Sequence, residues 1–360
     1  MSKRLFKSIL CGFMVMTVLA GCGNGASNST TTSDLKVGLV TNIGSIDDKS
    51  FNQGAWEGIQ AASEEFGITS KYLQPGGESE ADALKEIGNF NEAGYDMIVA
   101  PGFKFAKTIY EAQSKYPDKK FMIIDAVPNN GDNVPAVADN SVAVLFEEHE
   151  AGFLAGIAAA LEIKEGNVGF IGGMSTDAVN KYNWGFQQGI QYANDNYGTN
   201  MKMDANNFIY QGTFTDVAAG QQLSAQMYDR GVGVIFSAAG AVGTGVIKEA
   251  RERAQGGKPV WVVGVDVDQY DDGLYNDTQS VVLTSAMKKI STATYDVIKD
   301  AVEGKFPGGQ ILSYSIQNDG VGIPEVNPNL SEDTTKAVNE VYEKVKVGEI
   351  KVASDKGILK

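Results

Sequence analysis

From residue 35 onward the chain alternates short apolar runs with longer stretches in which apolar residues recur every three or four positions. Short apolar runs bounded by turn formers read as buried strands, and the three-to-four spacing reads as amphipathic helix. Residues 35–41 (LKVGLVT) predict a strand. Residues 50–66 predict a helix with Phe51, Ala55, Ile59, Ala62 and Phe66 along one face. The alternation continues as strand 71–73, helix 79–93, strand 96–100, helix 105–116 and strand 120–125. A second series starts after Phe146: helix 147–161, strand 167–171, helix 180–196, strand 207–210, helix 216–230, strand 232–237, helix 243–255 and strand 260–266. Strand 281–287, helix 289–303, strand 311–316 and a charged helix over 331–347 complete it.

Strands that alternate with helices imply parallel sheets covered on both faces, the α/β class. The count predicts two doubly wound parallel-sheet domains of similar size, with the crossover expected in residues 135–145. The N-terminal lobe is expected to take residues 35–143 plus about 288–312, and the C-terminal lobe residues 144–287 plus about 313–360. Roughly 325 residues are enough to bury two such cores.

The first residues follow another pattern. A cationic head (Lys3, Arg4, Lys7) leads into an apolar run over residues 9–19 and then Leu19-Ala20-Gly21-Cys22. Head, short apolar core and small residues before a cut site make a secretory signal. A cysteine directly after the small residues is the pattern of a bacterial lipoprotein signal. The run falls short of the roughly 20 apolar residues of a spanning helix. An ordinary signal peptide with a chance cysteine is the alternative. The lipoprotein reading removes residues 1–21 and makes Cys22 a lipidated N-terminus. Residues 22–34, small and polar, become a flexible tether that spans roughly 20 Å. The protein is then expected on the extracytoplasmic face of the bacterial cell membrane, held by acyl chains.

Charge and rare residues narrow the chemistry. The chain carries −15 overall, and its basic signal segment holds no acid, so the remainder is more negative still. That argues against nucleic acid or anionic lipid as a general partner. The two cysteines are Cys11, inside the signal, and Cys22, so no disulfide is expected to staple the domains. His149 is the single histidine, which excludes a multi-histidine metal site and leaves little room for a serine–histidine triad. It sits in Phe146-Glu147-Glu148-His149-Glu150, read as a polar helix start with a solvated or capping histidine. No metal, cofactor or catalytic residue is expected.

In open α/β sheets, ligands bind off the carboxyl ends of the strands, and two such edges facing each other make a cleft. After the first strand come Asn42, Asp48, Phe51 and Asn52; Asp48 reads first as a helix cap, and Phe51 either as core or as a ring facing ligand. Asp125 ends the strand at 120–125. Phe214 follows the strand at 207–210 between turn residues. A glycine loop around Gly240 follows the strand at 232–237, with neither the spacing nor the lysine of a P-loop. Asp266 ends the strand at 260–266, and Lys288 ends the strand at 281–287. Aromatic faces stack flat rings, carboxylates accept from ring N–H groups and sugar hydroxyls, and a lysine donates to hydroxyl oxygens. A nucleoside uses all of these. Phosphate would need more cation than one lysine among several acids.

The stretches Asp47-Asp48-Lys49-Ser50-Phe51-Asn52-Gln53, Gly264-Val265-Asp266-Val267-Asp268-Gln269 and Ser285-Ala286-Met287-Lys288, in that order, resemble the basic membrane protein family of bacterial lipoproteins, and most of all its purine nucleoside receptors. The resemblance runs from Leu35 to about Lys346. It implies a type I periplasmic-binding-protein fold whose two domains, joined by a hinge, deliver a nucleoside to an ATP-driven importer, the protein acting as a monomer beside its permease. It implies that Phe51 and Phe214 sandwich the base, with Trp184 as a third aromatic. Asp125 then reads the base edge, Asp266 and Lys288 hold the ribose hydroxyls, and Gly240 lines the sugar side. Many members carry aspartate where this chain has Asn42; asparagine both donates and accepts, which alters the purine edge it suits. Two other readings stay open: a sugar or signalling-molecule binder on the same fold, and a nucleoside hydrolase built on Asp48 and Asp125 or Asp266.

Overall fold

The alternation closes into two six-stranded sheets. The computed structural model describes residues 33–42 and 44–359, so the expected signal, Cys22 and nearly all of the tether lie outside the described residues. The elements run β1 (Lys36–Val40), α1 (Phe51–Phe66), β2 (Thr69–Leu73), α2 (Glu80–Glu92), β3 (Met97–Pro101), α3 (Phe105–Lys115), β4 (Lys120–Ile124) and β5 (Ser141–Phe146). Then come α4 (Glu148–Ile163), β6 (Glu165–Gly172), α5 (Asp177–Tyr197), β7 (Asn200–Tyr210), α6 (Val217–Asp229), β8 (Val232–Ala238), α7 (Ala241–Gln255) and β9 (Trp261–Asp266). The last are β10 (Val282–Lys288), α8 (Ile290–Val302), β11 (Gln310–Tyr314), β12 (Val321–Gly322) and α9 (Glu332–Lys346).

The first sheet is ordered β11-β5-β4-β3-β1-β2 and is parallel throughout. The second is ordered β12-β10-β9-β8-β6-β7 and is parallel except for β12, which runs antiparallel to β10. Strand order reverses beside β1 in one sheet and beside β6 in the other. Each sheet therefore has a topological switch point, where the carboxyl ends of neighbouring strands part and leave a crevice. The central strands β3, β4 and β8 are buried along nearly their whole length, as strands covered on both faces must be.

One expectation is corrected. Residues 135–145 are not the crossover, because Ser141–Phe146 forms β5, paired with β4 and β11 in the first sheet. The polar stretch Ala138-Asp139-Asn140 makes the whole segment look like a linker, but the apolar run behind it is a buried strand. The chain leaves the first sheet at Glu147. It returns after β10, where α8 packs on α1, and then adds β11 to the first sheet before ending beside the second. α4 and α5 cross backbone to backbone at Gly152, Gly156, Gly185 and Gly189; a Cβ at Gly185 would stand 2.0 Å from the His149 carbonyl oxygen.

Candidate functional site

Between the carboxyl ends of the two sheets lies a cavity of about 840 Å³, counting its mouth. The first sheet contributes Asn42, Gly44, Asp48 and Ser50 to Asn52 after β1, Gly102 and Phe103 after β3, and Asp125 after β4. The second contributes Thr176 to Val179 and Tyr182 after β6, Phe214 after β7, Ala238 to Ala241 after β8, and Asp266 at the end of β9. Both switch points thus open on one space.

The polar wall of the first sheet is held by Asp48. One carboxylate oxygen accepts from the Ser50 and Gln53 amides, and the other from the Asn52 amide and the Asn52 side chain at 2.9 Å. Asp48 therefore caps α1, and its acceptors are occupied within the protein. Burial pushes its carboxyl above the ordinary range, against the pull of those amides. Asn52 in turn accepts from the Asn42 backbone amide at 3.1 Å, so Asp48 fixes the Asn52 side chain and, through it, the backbone at Asn42 on the cavity edge.

The aromatic walls are Phe51, at the start of α1, and Phe214, in the loop before α6. The ideal Cβ position of Gly173 lies 2.3 Å from the Phe214 ring, so only glycine lets that ring lie against the loop after β6. The Phe214 carbonyl accepts from Val242. Beside it, Gly240 adopts φ 56 and ψ −131, a conformation that side chains avoid, and turns the backbone toward the cavity.

The floor is a buried ion cluster. Asp125 and Asp266, each directly after its strand, adopt positive φ (59 and 66), which aspartate tolerates better than most residues. The Lys288 ammonium is bonded to Asp125 and lies 3.5 Å from Glu148 and 3.7 Å from Asp266. It also stands 4.7 Å from the Phe51 ring centre. Lys288 is only 3 % exposed. Burial works against its charge, but Asp125, Asp266 and Glu148 hold it well above its ordinary value. Ser50 donates to Asp266 across the two sheets, and the Tyr182 hydroxyl lies 3.3 Å from the same carboxylate. The second Asp125 oxygen is buried without a partner. It is an acceptor for a donor that the chain itself does not supply.

Glu148, like Asp125, is an acid of this cluster whose carboxyl is pushed up by burial. Burial, with some repulsion from Asp125, pushes it from 4.5 to about 8 despite Lys288. Between those values the folded protein keeps a proton that the unfolded chain releases, so stability falls as pH rises through that window. Glu148→Gln is expected to flatten this slope. Thermal melts of both proteins from about pH 5 to pH 8 check it, and parallel curves would refute it.

Of the residues singled out in the sequence, Asn42, Asp48, Phe51, Asn52, Asp125, Phe214, Gly240 and Asp266 line the cavity. Lys288 lies behind them, reached through Asp125 and Asp266. Trp184 does not line it. Its ring stands against Gly357 in the C-terminal segment. Two positions along a helix turn a side chain by about 200°, so Trp184 and Tyr182 face opposite ways, and Tyr182 faces the cavity. His149 is buried rather than solvated, 3.5 Å from Glu147, and burial pulls its imidazole below the ordinary value. Ser50, Tyr182 and Glu148 are the functional residues that sequence reasoning left out. Their signal was position alone, at the starts of α1, α5 and α4. Among the described residues no group of three or more His, Cys, Asp or Glu side chains is placed to hold a metal ion. The centre of the acidic cluster is filled by a lysine.

A family model described as ABC transporter substrate-binding protein PnrA-like matches residues 35–356. A CD4+ T-cell-stimulating antigen of Listeria monocytogenes is 34% identical over 98% of this chain and 99% of its own. An ABC transporter nucleoside-binding protein of Lactococcus lactis subsp. cremoris is 31% identical over 95% of this chain and 98% of its own. The crystal structure of an ABC transporter solute-binding protein from Aeropyrum pernix K1 superposes with a TM-score of 0.76 at 26% identity, covering 90% of this chain and 94% of that one.

Proposed function

The chain belongs to the Bmp family of PnrA-like ABC transporter substrate-binding proteins, and from that premise we propose that it captures purine nucleosides in the cavity between its sheets and hands them to the importer's permease. It is a substrate-binding protein and not an enzyme, which sets the hydrolase reading aside. The observation that carries the nucleoside reading is one cavity with aromatic walls, an amide pair at one edge and a lysine–carboxylate floor. A flat base fits the walls, amides address its edge, and the floor accepts and donates to sugar hydroxyls. A bare sugar would use the aromatic walls less fully. The Lactococcus relative, named for nucleoside binding, supports the same reading.

In this assignment Phe51 and Phe214 flank the base, Asn42 and Asn52 meet its edge, and Asp266 addresses the ribose, with Lys288 behind it rather than on the ribose directly. The free oxygen of Asp125 accepts from the ligand, and Gly240 offers backbone. Closure of the two sheets around the ligand would bury it from both sides. Cys22 would carry the lipid that keeps the domains, as a monomer, within a tether's reach of the permease. No helix among the described residues is long and apolar enough to cross a membrane.

Protein purified from cells can retain ligand, so the test starts by unfolding, dialysis and refolding. Calorimetric titration with adenosine, guanosine and inosine should then show saturable binding, and no heat with any of them would overturn the reading. Phe214→Ala should weaken the tightest of them by about 1–3 kcal/mol through lost stacking.

A further inference from the structure

A second cavity adjoins the first. It holds about 830 Å³, counting its mouth, and shares Asn42 and Gly44 with the nucleoside cavity. Its remaining wall is Thr41 and Ser45 beside them, the segment from Gln74 to Glu80, α2 at Ala83, Lys104, Phe105 and Thr108 at the start of α3, and Thr215 from the second sheet. None of Asp125, Asp266, Tyr182 or Gly240 touches it. It therefore opens off the amide edge of the nucleoside cavity, away from the lysine–carboxylate floor.

Two of its lining residues, Thr41 and Thr108, are each 1 % exposed, and both hydroxyls are buried without a partner. Buried hydroxyls normally find one; these two belong to residues that line the annex and have no partner inside the protein. The charges exclude an anion. Lys104 is paired with Glu78 at 2.5 Å and Lys107 with Glu80 at 3.0 Å. The N-terminus of α2 is already closed by the reciprocal pair of Ser79 and Asp82. What remains is an annex whose charged groups are paired with one another and whose inner wall carries hydroxyls.

We infer that this annex receives a neutral polar substituent on the base edge of the bound nucleoside, so that the protein accepts purine nucleosides extended at an exocyclic amine by a hydroxyl-bearing chain. The inference rests on the nucleoside reading above and deepens it. The Thr108 hydroxyl is the main specificity-determining contact, with Thr41 beside it.

Titrations of the refolded protein with adenosine, N6-(2-hydroxyethyl)adenosine and N6-propyladenosine test it, with the N2-substituted guanosines as a parallel set. The hydroxyethyl compound should bind within about threefold of its parent and at least fivefold tighter than the propyl compound of equal length. Thr108→Val keeps the shape, removes a hydroxyl that nothing in the chain satisfies, and should erase that preference while leaving the parent's affinity unchanged. Gly76 lines the annex, and a Cβ there meets nothing within 4 Å. Gly76→Phe should therefore fill the annex and weaken the hydroxyethyl compound tenfold or more, again sparing the parent. A parent that binds while its hydroxyethyl derivative loses a hundredfold or more overturns the annex and leaves the nucleoside reading standing. Unchanged derivative binding in both variants overturns it equally. Failure of every unsubstituted nucleoside to bind removes both readings together.

Discussion

Lys288→Met is expected to cost about 3–5 kcal/mol of stability in the ligand-free protein, the range for removing one partner from a buried ion cluster. Methionine keeps most of the stem and deletes the charge. The ammonium is bonded to Asp125 and lies within 4 Å of Glu148 and Asp266, and both lysine and Glu148 are almost wholly buried. Without it, Asp125 and Asp266 lose the cation between them, beside a Glu148 that is already largely protonated at pH 7 and a Lys181 that lies 4.0 Å from Glu148 on the far side. The cluster must take up a further proton or draw in water, and either costs free energy at neutral pH. Urea unfolding at about pH 7 measures the loss. Lys248→Met is the control: Lys248 is exposed, 3.9 Å from Glu252, and its removal should leave the midpoint almost unmoved. Adding Asp125→Asn to Lys288→Met should recover part of the loss, because residues that share one network are not additive. A single variant as stable as the parent would mean that the cluster is not held by the lysine.

Asp266→Ala is the second large effect, on binding rather than folding. This carboxylate faces Lys288 from one side, accepts from Ser50 across the two sheets, and lies 3.3 Å from the Tyr182 hydroxyl. Truncating one member of a buried, hydrogen-bonded charge pair typically costs about 2–5 kcal/mol of affinity. Nucleoside binding should fall accordingly, by about thirtyfold or more. The free base, which has no ribose, should lose far less, so the preference for nucleoside over base should collapse. Paired titrations of inosine and hypoxanthine read that ratio directly, and a ratio unchanged from the parent protein would take the ribose away from Asp266. Circular dichroism of the variant separates lost binding from lost fold.

The residues involved show how far local pattern reaches. The strand-and-helix alternation was legible nearly throughout, because side chains two or three to four positions apart declare which face of an element is buried. The strand ends also pointed to Asp125 and Asp266, since a carboxylate closing an apolar run has no use in the strand itself. β5 escaped because the polar residues before it masked a buried run at the far side of the sheet. Trp184 came in through the family resemblance, whereas the phase of α5 turns Tyr182 inward. Glu148 sat in a stretch read as a polar helix start, and became a buried partner of Lys288 only once α4 was covered by β10 and α5.

Fold class, the alternation of elements and the kinds of side chain at the strand ends follow from residues close together in the chain, and they were readable there. The meeting of those side chains was not. Ser50 and Asp266 lie 216 positions apart, and Asp125 and Lys288 lie 163 apart, yet each pair is in contact. Short-range periodicity carries no record of such distances. Which acids share the lysine, which ring faces the cavity and which hydroxyls are left open depend on how two sheets close against each other, and that closure is set by the summed burial of both cores rather than by any local stretch.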